Sequence, residues 1–279
     1  MEPLQLYAFA DEASGRVDGQ IAAMLRNGLN GLEIRGVDGQ SIADITLDKA
    51  REVRKKLDDA GLICWSMGSP IGKIGITSEE FPAHLEKLRH TLELAHVLGA
   101  KNLRMFSFFV PEGQAEEYRG QVMDRMGQML DVARGSGIAM CHENEKGIYG
   151  DVASRCYDLL TVFPELDGIF DPANFIQSGQ DTLEAWKLLG SRIKYLHIKD
   201  ALPDGKVVPA GKGIGALKEI LADYRARGGC AVTIEPHLSV FDGLKDLEQG
   251  ENRTQIDQYC YESSDAAFDA ACDALKALM

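Results

Sequence analysis

The sequence has no run of about 18 apolar residues, so no membrane-spanning helix is expected. Its opening stretch, MEPLQLYAFADE, has no basic segment followed by an apolar one, so no signal peptide is expected either. Six cysteines lie scattered at Cys64, Cys141, Cys156, Cys230, Cys260 and Cys272, and no two form a Cys-x-x-Cys pair. Several sit in apolar runs, where a free thiol packs as a small hydrophobe, and the pattern suits a reducing, cytoplasmic setting. Neither a G-x-G-x-x-G loop nor a Walker loop follows an early strand, which argues against an open, doubly wound nucleotide-binding sheet. Gly211, Gly213 and Gly215 come late and without that spacing. Low-complexity segments and Pro/Gly-rich linkers are missing too, so residues 1–279 are expected to form one domain. Basic residues are scarce: 30 Lys and Arg face 43 Asp and Glu, a formal charge of -13. Such a surface repels phosphate backbones and anionic lipid, so neither nucleic acid nor membrane is expected as a partner.

The 279 residues, 45% of them hydrophobic, are enough for a sizeable core, and a barrel of parallel strands typically takes about 250. Short apolar runs alternate with longer amphipathic stretches. Strands are predicted at residues 4–9, 31–35, 62–67, 101–106, 137–143, 168–171, 193–198 and 231–235. Between them, apolar residues recur at steps of three and four, as in Leu47, Ala50, Val53 and Leu57, with Gly61 as a stop. Thr77 and Glu80 match a capping box ahead of Phe81, Leu85, Leu88, Leu92 and Ala95, and Gly99 closes that helix. Eight strands, each followed by a helix, need parallel crossovers and close most naturally into a (β/α)8 TIM barrel. One connection, residues 236–262, is long and charged, and a lid over the mouth or a plain surface excursion fits it equally.

Strands five to eight each end in a potential metal ligand. IAMCHENE offers Glu143, GIFDPANF offers Asp171, IKYLHIKD offers His197 and AVTIEPHL offers Glu235. In a barrel these ends share one mouth, so residues far apart in sequence converge. Three carboxylates and an imidazole form a mixed O/N set that suits Mn²⁺, Mg²⁺, Co²⁺ or Zn²⁺. Like charges would raise one another's pKa if crowded together alone, whereas a divalent cation makes the cluster favourable. Any one acid at a strand end can equally cap a helix or pair with a lysine. Four on successive strands are harder to explain that way.

With these segments the chain resembles the xylose-isomerase-like barrel superfamily of sugar phosphate isomerases and epimerases. The likeness runs over nearly the whole length and rests on Glu143-Asn144, Asp171-Pro172, the run His197 to Asp200, and Ile234-Glu235-Pro236. It implies one divalent ion, Mn²⁺ first, held by Glu143, Asp171, His197 and Glu235. It further implies a sugar or polyol substrate, an acid/base pair made of Glu143 and Glu235, proton transfer next to a carbonyl through an enediolate, and a homodimer or homotetramer. Two departures stand out. Asn174 replaces a histidine that many members carry three residues after the sixth-strand aspartate. Ala201-Leu202-Pro203 occupies the place where ketose 3-epimerases often have an arginine. A dehydratase of the inosose type, or a metal-dependent subunit of a carbon–glycoside-cleaving enzyme, remains an alternative on the same fold. Apurinic-site endonucleases need further histidines, which residues 66–69 and 105–108 lack. A non-catalytic module is disfavoured by the full ligand set.

Four more residues are candidates for substrate contact. Glu33 ends the second strand and either binds hydroxyls at the mouth or pairs with Arg35 or Arg104. Lys199 faces the same side as His197 by strand alternation and either joins the carboxylates in ion pairs or binds an anionic group. Asn174 can hydrogen-bond a hydroxyl. Trp65, like Phe106, either walls the pocket or packs in the core. His142 is expected to face the helical layer and His237 to make a loop hydrogen bond. His84, His90 and His96 are expected to lie idle on a helix flank.

Overall fold

The computed structural model describes residues 3–239 and 261–279. Eight barrel strands alternate with helices along the described residues. The strands are β1 (Gln5–Ala8), β2 (Gly31–Ile34), β3 (Ile63–Met67), β4 (Asn102–Met105), β5 (Ala139–Glu143), β6 (Asp167–Phe170), β7 (Ile193–Ile198) and β8 (Ala231–Ile234). Neighbours pair in parallel in chain order, and β1 pairs with β8 through Gln5 to Ala8 against Ala231 to Ile234, which closes the barrel. The outer helices are α1 (Val17–Arg26), α2 (Leu47–Asp59), α3 (Phe81–Leu98), α4 (Ala115–Ala133), α5 (Ala153–Val162), α6 (Pro172–Gln177), α7 (Thr182–Leu189), α8 (Leu217–Ala226) and α9 (Ser264–Leu278). Among the described residues no helix is long and apolar enough to cross a membrane.

Local chemistry explains the helix ends. Thr46 Oγ1 accepts from Lys49 N at 3.1 Å to start α2, and Ala50, Val53 and Leu57 are its buried face. Gly99, at φ 74°, ends α3 in the left-handed region that glycine tolerates. The capping box expected ahead of α3 does not form. That helix begins at Phe81, with Pro82 in its first turn and no side-chain cap from Glu80. A proline there has no amide to satisfy and presets φ, so Thr77 stands too early to act. The short helix α6 was not foreseen. Its N-cap is Asp171, whose Oδ1 accepts from Asn174 N at 3.0 Å.

Side chains alternate between two buried layers. Leu32, Ile34, Leu103, Met105, Leu196 and Ile198 join the large outer core under the helices. The inward residues Tyr7, Cys141, Ile169, Tyr195 and Ala231 form a smaller cluster with Trp65 and Ala139 packed against it. Ala139 and Ala231 are the first residues of β5 and β8, so this cluster is the floor at the N-terminal end. Tyr7, Cys141, Ile169 and Tyr195 each precede a mouth residue by two positions on their own chain segment. The mouth therefore lies one layer above, at about 6–7 Å along the strand.

Two histidines expected to be idle are structural. His84 Nε2 accepts from Gly72 N at 2.7 Å, and His90 Nε2 lies 2.8 Å from Ile45 O. His96 is exposed as expected. Each of the first two ties a mouth-side loop to α3, because a buried backbone polar group requires a partner. Most of the long connection, residues 240–260, lies outside the described residues, and the lid expectation falls there.

Candidate metal centre

Glu143 is the last residue of β5, Asp171 follows β6, His197 lies in β7 and Glu235 follows β8. All four are buried, and one ligand atom from each lies within 4.8 Å of the others. His197 Nδ1 is 2.7 Å from Glu143 Oε1 and 3.3 Å from Glu235 Oε2. Lys199, two residues on, places Nζ 2.8 Å from Asp171 Oδ2 and 3.3 Å from Glu235 Oε2. The ion-pairing alternative for Lys199 is thus the one the geometry displays.

Burial penalises every charge here, so neighbours decide the ionisation states. Burial pushes the Asp171 carboxyl up to about 7, although Lys199 pulls it down. Burial acts the same way on Glu143, yet His197 and Arg104 hold its carboxyl below the usual range. Lys199 and His237 hold Glu235 well below it, again against burial. His197 is driven the other way. Burial lowers its pKa, but the carboxylates of Glu143 and Glu33 raise it well above the ordinary imidazole value. The cluster thus has the donor set and spacing of a divalent-metal site, with fixed cations already balancing part of its charge.

Glu33 requires a correction. It is fully buried, and its close partners are His197, Tyr195 and Ser66. Its Oε2 lies 3.0 Å from His197 Nε2, while Oε1 accepts from Tyr195 OH at 2.8 Å and from Ser66 Oγ at 3.3 Å. Alternation with the outward Leu32 and Ile34 turns it into the barrel beside His197, and the register shift next to it inserts its extra residue, Trp65, in β3. The pocket-wall reading of Trp65 is also corrected. Its ring stacks on Tyr7, with centroids 4.8 Å apart and planes 4° apart, and meets Tyr195 edge-on at 5.9 Å. Those partners belong to the floor, one layer below the cluster. Phe106 is core as well, with the Lys73 ammonium 4.5 Å from its ring centroid.

Asn174 does lie at the cluster. Its Nδ2 is 3.5 Å from Glu143 Oε1 and donates to Asn144 O at 2.9 Å. Asn144 in turn clamps the backbone of Asp171, donating to its carbonyl at 3.0 Å and accepting from its amide at 2.9 Å. His142 turns away from Glu143 as expected, with Nε2 2.9 Å from Ser107 Oγ. His237 reaches further than a loop hydrogen bond. Its amide donates to Glu12 Oε2 at 2.6 Å, and its ring Nε2 is 3.5 Å from both Glu12 Oε1 and Glu235 Oε1.

Sequence reasoning did not place two arginines in the site. Arg104 donates from Nη1 to Glu143 Oε2 at 3.0 Å. Arg35 reaches Glu235 Oε1 at 3.4 Å and also holds Asp11 at 2.9 Å and Glu12 at 3.0 Å. Both guanidinium carbons lie over the ring of Phe9, at 4.4 and 4.8 Å from its centroid. The available signal was alternation: Arg35 is two residues past Glu33, and Arg104 is inward on β4. Glu12, Glu235 and His237 form a second close group, and Arg35 already supplies its cation. A cavity of about 790 Å³ opens between the loops after β4, β5 and β6, but none of the four cluster residues lines it. Chemistry rather than size therefore places the candidate site.

Solved structures share this architecture. D-allulose 3-epimerase from Methylomonas sp. is 19% identical, with a TM-score of 0.75 and coverage of 100% of this chain and 99% of that one. The IOLI protein with a binding zinc atom is 15% identical, with a TM-score of 0.75 and coverage of 99% and 98%. The probable 3-DHS dehydratase AsbF from Bacillus anthracis is 16% identical, with a TM-score of 0.73 and coverage of 98% and 99%. At these identities the likeness establishes the fold. The sequence itself matches the model of the xylose isomerase-like TIM barrel over residues 21–253. Closed barrel and family match agree, and the chain belongs to the xylose isomerase-like TIM barrel family.

Proposed function

We propose that the protein is a metal-dependent isomerase or epimerase of a small sugar or polyol, with Glu143, Asp171, His197 and Glu235 as metal ligands. The observation that carries this reading is the convergence of those four buried donors within 4.8 Å. Mn²⁺ is the first choice, and Mg²⁺, Co²⁺ and Zn²⁺ suit the same donors. Such an ion supplies Lewis acidity that makes a C–H beside a carbonyl easier to deprotonate.

The protein's own residues do the rest. His197 offers Nδ1 to the cluster while Nε2 faces Glu33, an arrangement that fixes the ring and its tautomer. Glu143 and Glu235 exchange the proton, one removing it and the other returning it. His197 and Arg104 hold Glu143 as a carboxylate, and Lys199 and His237 hold Glu235, the form a base requires. Lys199 and Asn174 orient substrate hydroxyls from the Asp171 and Glu143 sides. A dehydratase is the second reading, favoured by the likeness to AsbF. It starts from the same proton abstraction and differs by loss of water.

The test is metal analysis of the purified protein followed by a screen of ketoses and inososes in D₂O. One equivalent of metal and deuterium entering a C–H position are expected, with product mass conserved for an isomerase. Glu143→Gln and Glu235→Gln should each slow exchange by about 10²–10⁴-fold. Wild-type exchange in either variant would remove that glutamate from the acid/base pair.

A further inference from the structure

The seam where the barrel closes carries a contact that the proposed reaction does not use. The end of β8 is held on both sides: Glu235 N donates to Ile198 O at 3.2 Å, and Phe9 N donates to Ile234 O at 3.0 Å. Pro236 then has no amide to give. His237 N is the next donor along the chain, and the residue is buried, so that amide requires a partner. It donates to Glu12 Oε2 at 2.6 Å, across 225 positions of sequence. His237 stands at φ 43°, in the left-handed region that a residue with a Cβ seldom takes. Such strain persists only where the surroundings impose it.

Glu12 is placed to impose it. It ends the 3-10 turn Ala10–Glu12 that follows β1, and it is itself buried. Its Oε1 accepts from Arg35 Nη2 at 3.0 Å, and Asp11 Oδ2 holds the same guanidinium through Nε at 2.9 Å. Arg35 Nη1 in turn lies 3.4 Å from Glu235 Oε1. The contacts close a ring that runs from Glu12 through Arg35 to Glu235 and back through His237. One side of the ring fixes the backbone just after Glu235, and the other meets its carboxylate.

We infer that Glu12 is a positioning residue for Glu235: it accepts the His237 amide and so holds the turn after β8 in the conformation that aims the Glu235 carboxylate into the cluster. The part Glu235 plays there rests on the function proposed above, whereas the hold on the turn does not. Placement of this kind matters because a shift of about 1 Å at a reacting group can cost about 10²-fold in rate.

The test reads Co²⁺ on the full-length protein, by chelator competition and visible absorption, and requires no turnover. Glu12→Ala should weaken Co²⁺ binding by about 10–100-fold, the usual effect of losing support behind a ligand, and should change the absorption band. Glu12→Gln keeps an oxygen for the His237 amide and should stay close to wild type in both. Added to Glu12→Ala, His237→Gly should recover part of the lost affinity, because glycine takes a positive φ without strain, and His237→Ala should recover none. Wild-type affinity and band in Glu12→Ala would overturn the assignment, even if that variant melts lower. So would a Glu12→Gln as weak as Glu12→Ala, or equal affinities in the two double variants. If Glu12→Ala does not fold, the single variants decide: His237→Gly should melt higher than His237→Ala, and equal melting temperatures overturn the hold. A wild type that takes up no Co²⁺ would fail the metal-centre reading, and the same melting comparison would then decide the hold by itself.

Discussion

The two halves of the barrel do opposite electrostatic work. Strands β5 to β8 lead to Glu143, Asp171, His197 and Glu235, a set that is mostly anionic. Strands β1, β2 and β4 lead instead to Phe9, Arg35 and Arg104, an aromatic ring carrying two guanidinium groups. Phe9 also meets the His197 ring edge-on at 5.2 Å. Glu143 and Glu235 each meet an arginine from the other half, Glu143 with Arg104 and Glu235 with Arg35. Three buried carboxylates repel one another, and within their own half Lys199 and His197 offset part of that charge. The arginines of the first half thus complete a charge balance that Lys199 begins within the second.

Removing Arg104 tests that division most severely. Arg104→Met keeps length and apolar bulk but leaves the Glu143 charge buried without its guanidinium. Breaking one side of such a pair typically costs about 3–5 kcal/mol. Urea unfolding of the metal-free variant should show a loss of that order, and saturating Mn²⁺ or Zn²⁺ should return part of it by supplying the missing positive charge. An unchanged metal-free stability would mean that the two halves do not balance each other.

The difference between the halves also explains what the sequence discloses. The barrel is legible because period-two and period-three-to-four patterns repeat eight times, and strand β7 is read at its observed bounds, Ile193–Ile198. The anionic half is legible because acids and a histidine at four successive strand ends are chemically unusual. Arg35 and Arg104 give no comparable signal, since an arginine near a strand end is ordinarily a surface residue with its head in water. Their burial depends on which carboxylates lie across the barrel, a long-range fact. Glu33 was misplaced for a related reason. Alternation places it inward, but its contacts with His197, Tyr195 and Ser66 depend on which residues lie across the barrel. Helix α6 escaped because six residues hold too little periodicity to read.

Glu33 is another residue of the first half in contact with the second, at His197 Nε2. If its contact with His197 Nε2 sets the ring for metal binding, Glu33→Gln should weaken Co²⁺ or Zn²⁺ affinity by about 10–100-fold, the usual effect of losing a partner behind a metal ligand. Competition against a chelating dye measures this directly. The same variant should leave the Arg104–Glu143 pair intact, so its metal-free stability should fall much less than that of Arg104→Met. An unaltered metal affinity would reduce Glu33 to packing between Tyr195 and Ser66.

Trp65 gives the smallest effect and separates floor from mouth. Its indole Nε1 is buried without a hydrogen-bond partner among the described residues, and its ring packs on Tyr7 and Tyr195 one layer below the cluster. Replacement by phenylalanine removes part of the stacked area, which costs stability. It also removes an unsatisfied donor, whose burial is worth about 1–3 kcal/mol in the opposite direction. The two effects nearly cancel, so Trp65→Phe should change unfolding stability by no more than about 1 kcal/mol and leave metal affinity and KM within a factor of about two. A tenfold rise in KM at unchanged stability would return Trp65 to the pocket wall. It would also mean that the floor and the mouth are one continuous chamber rather than two layers of opposite chemistry.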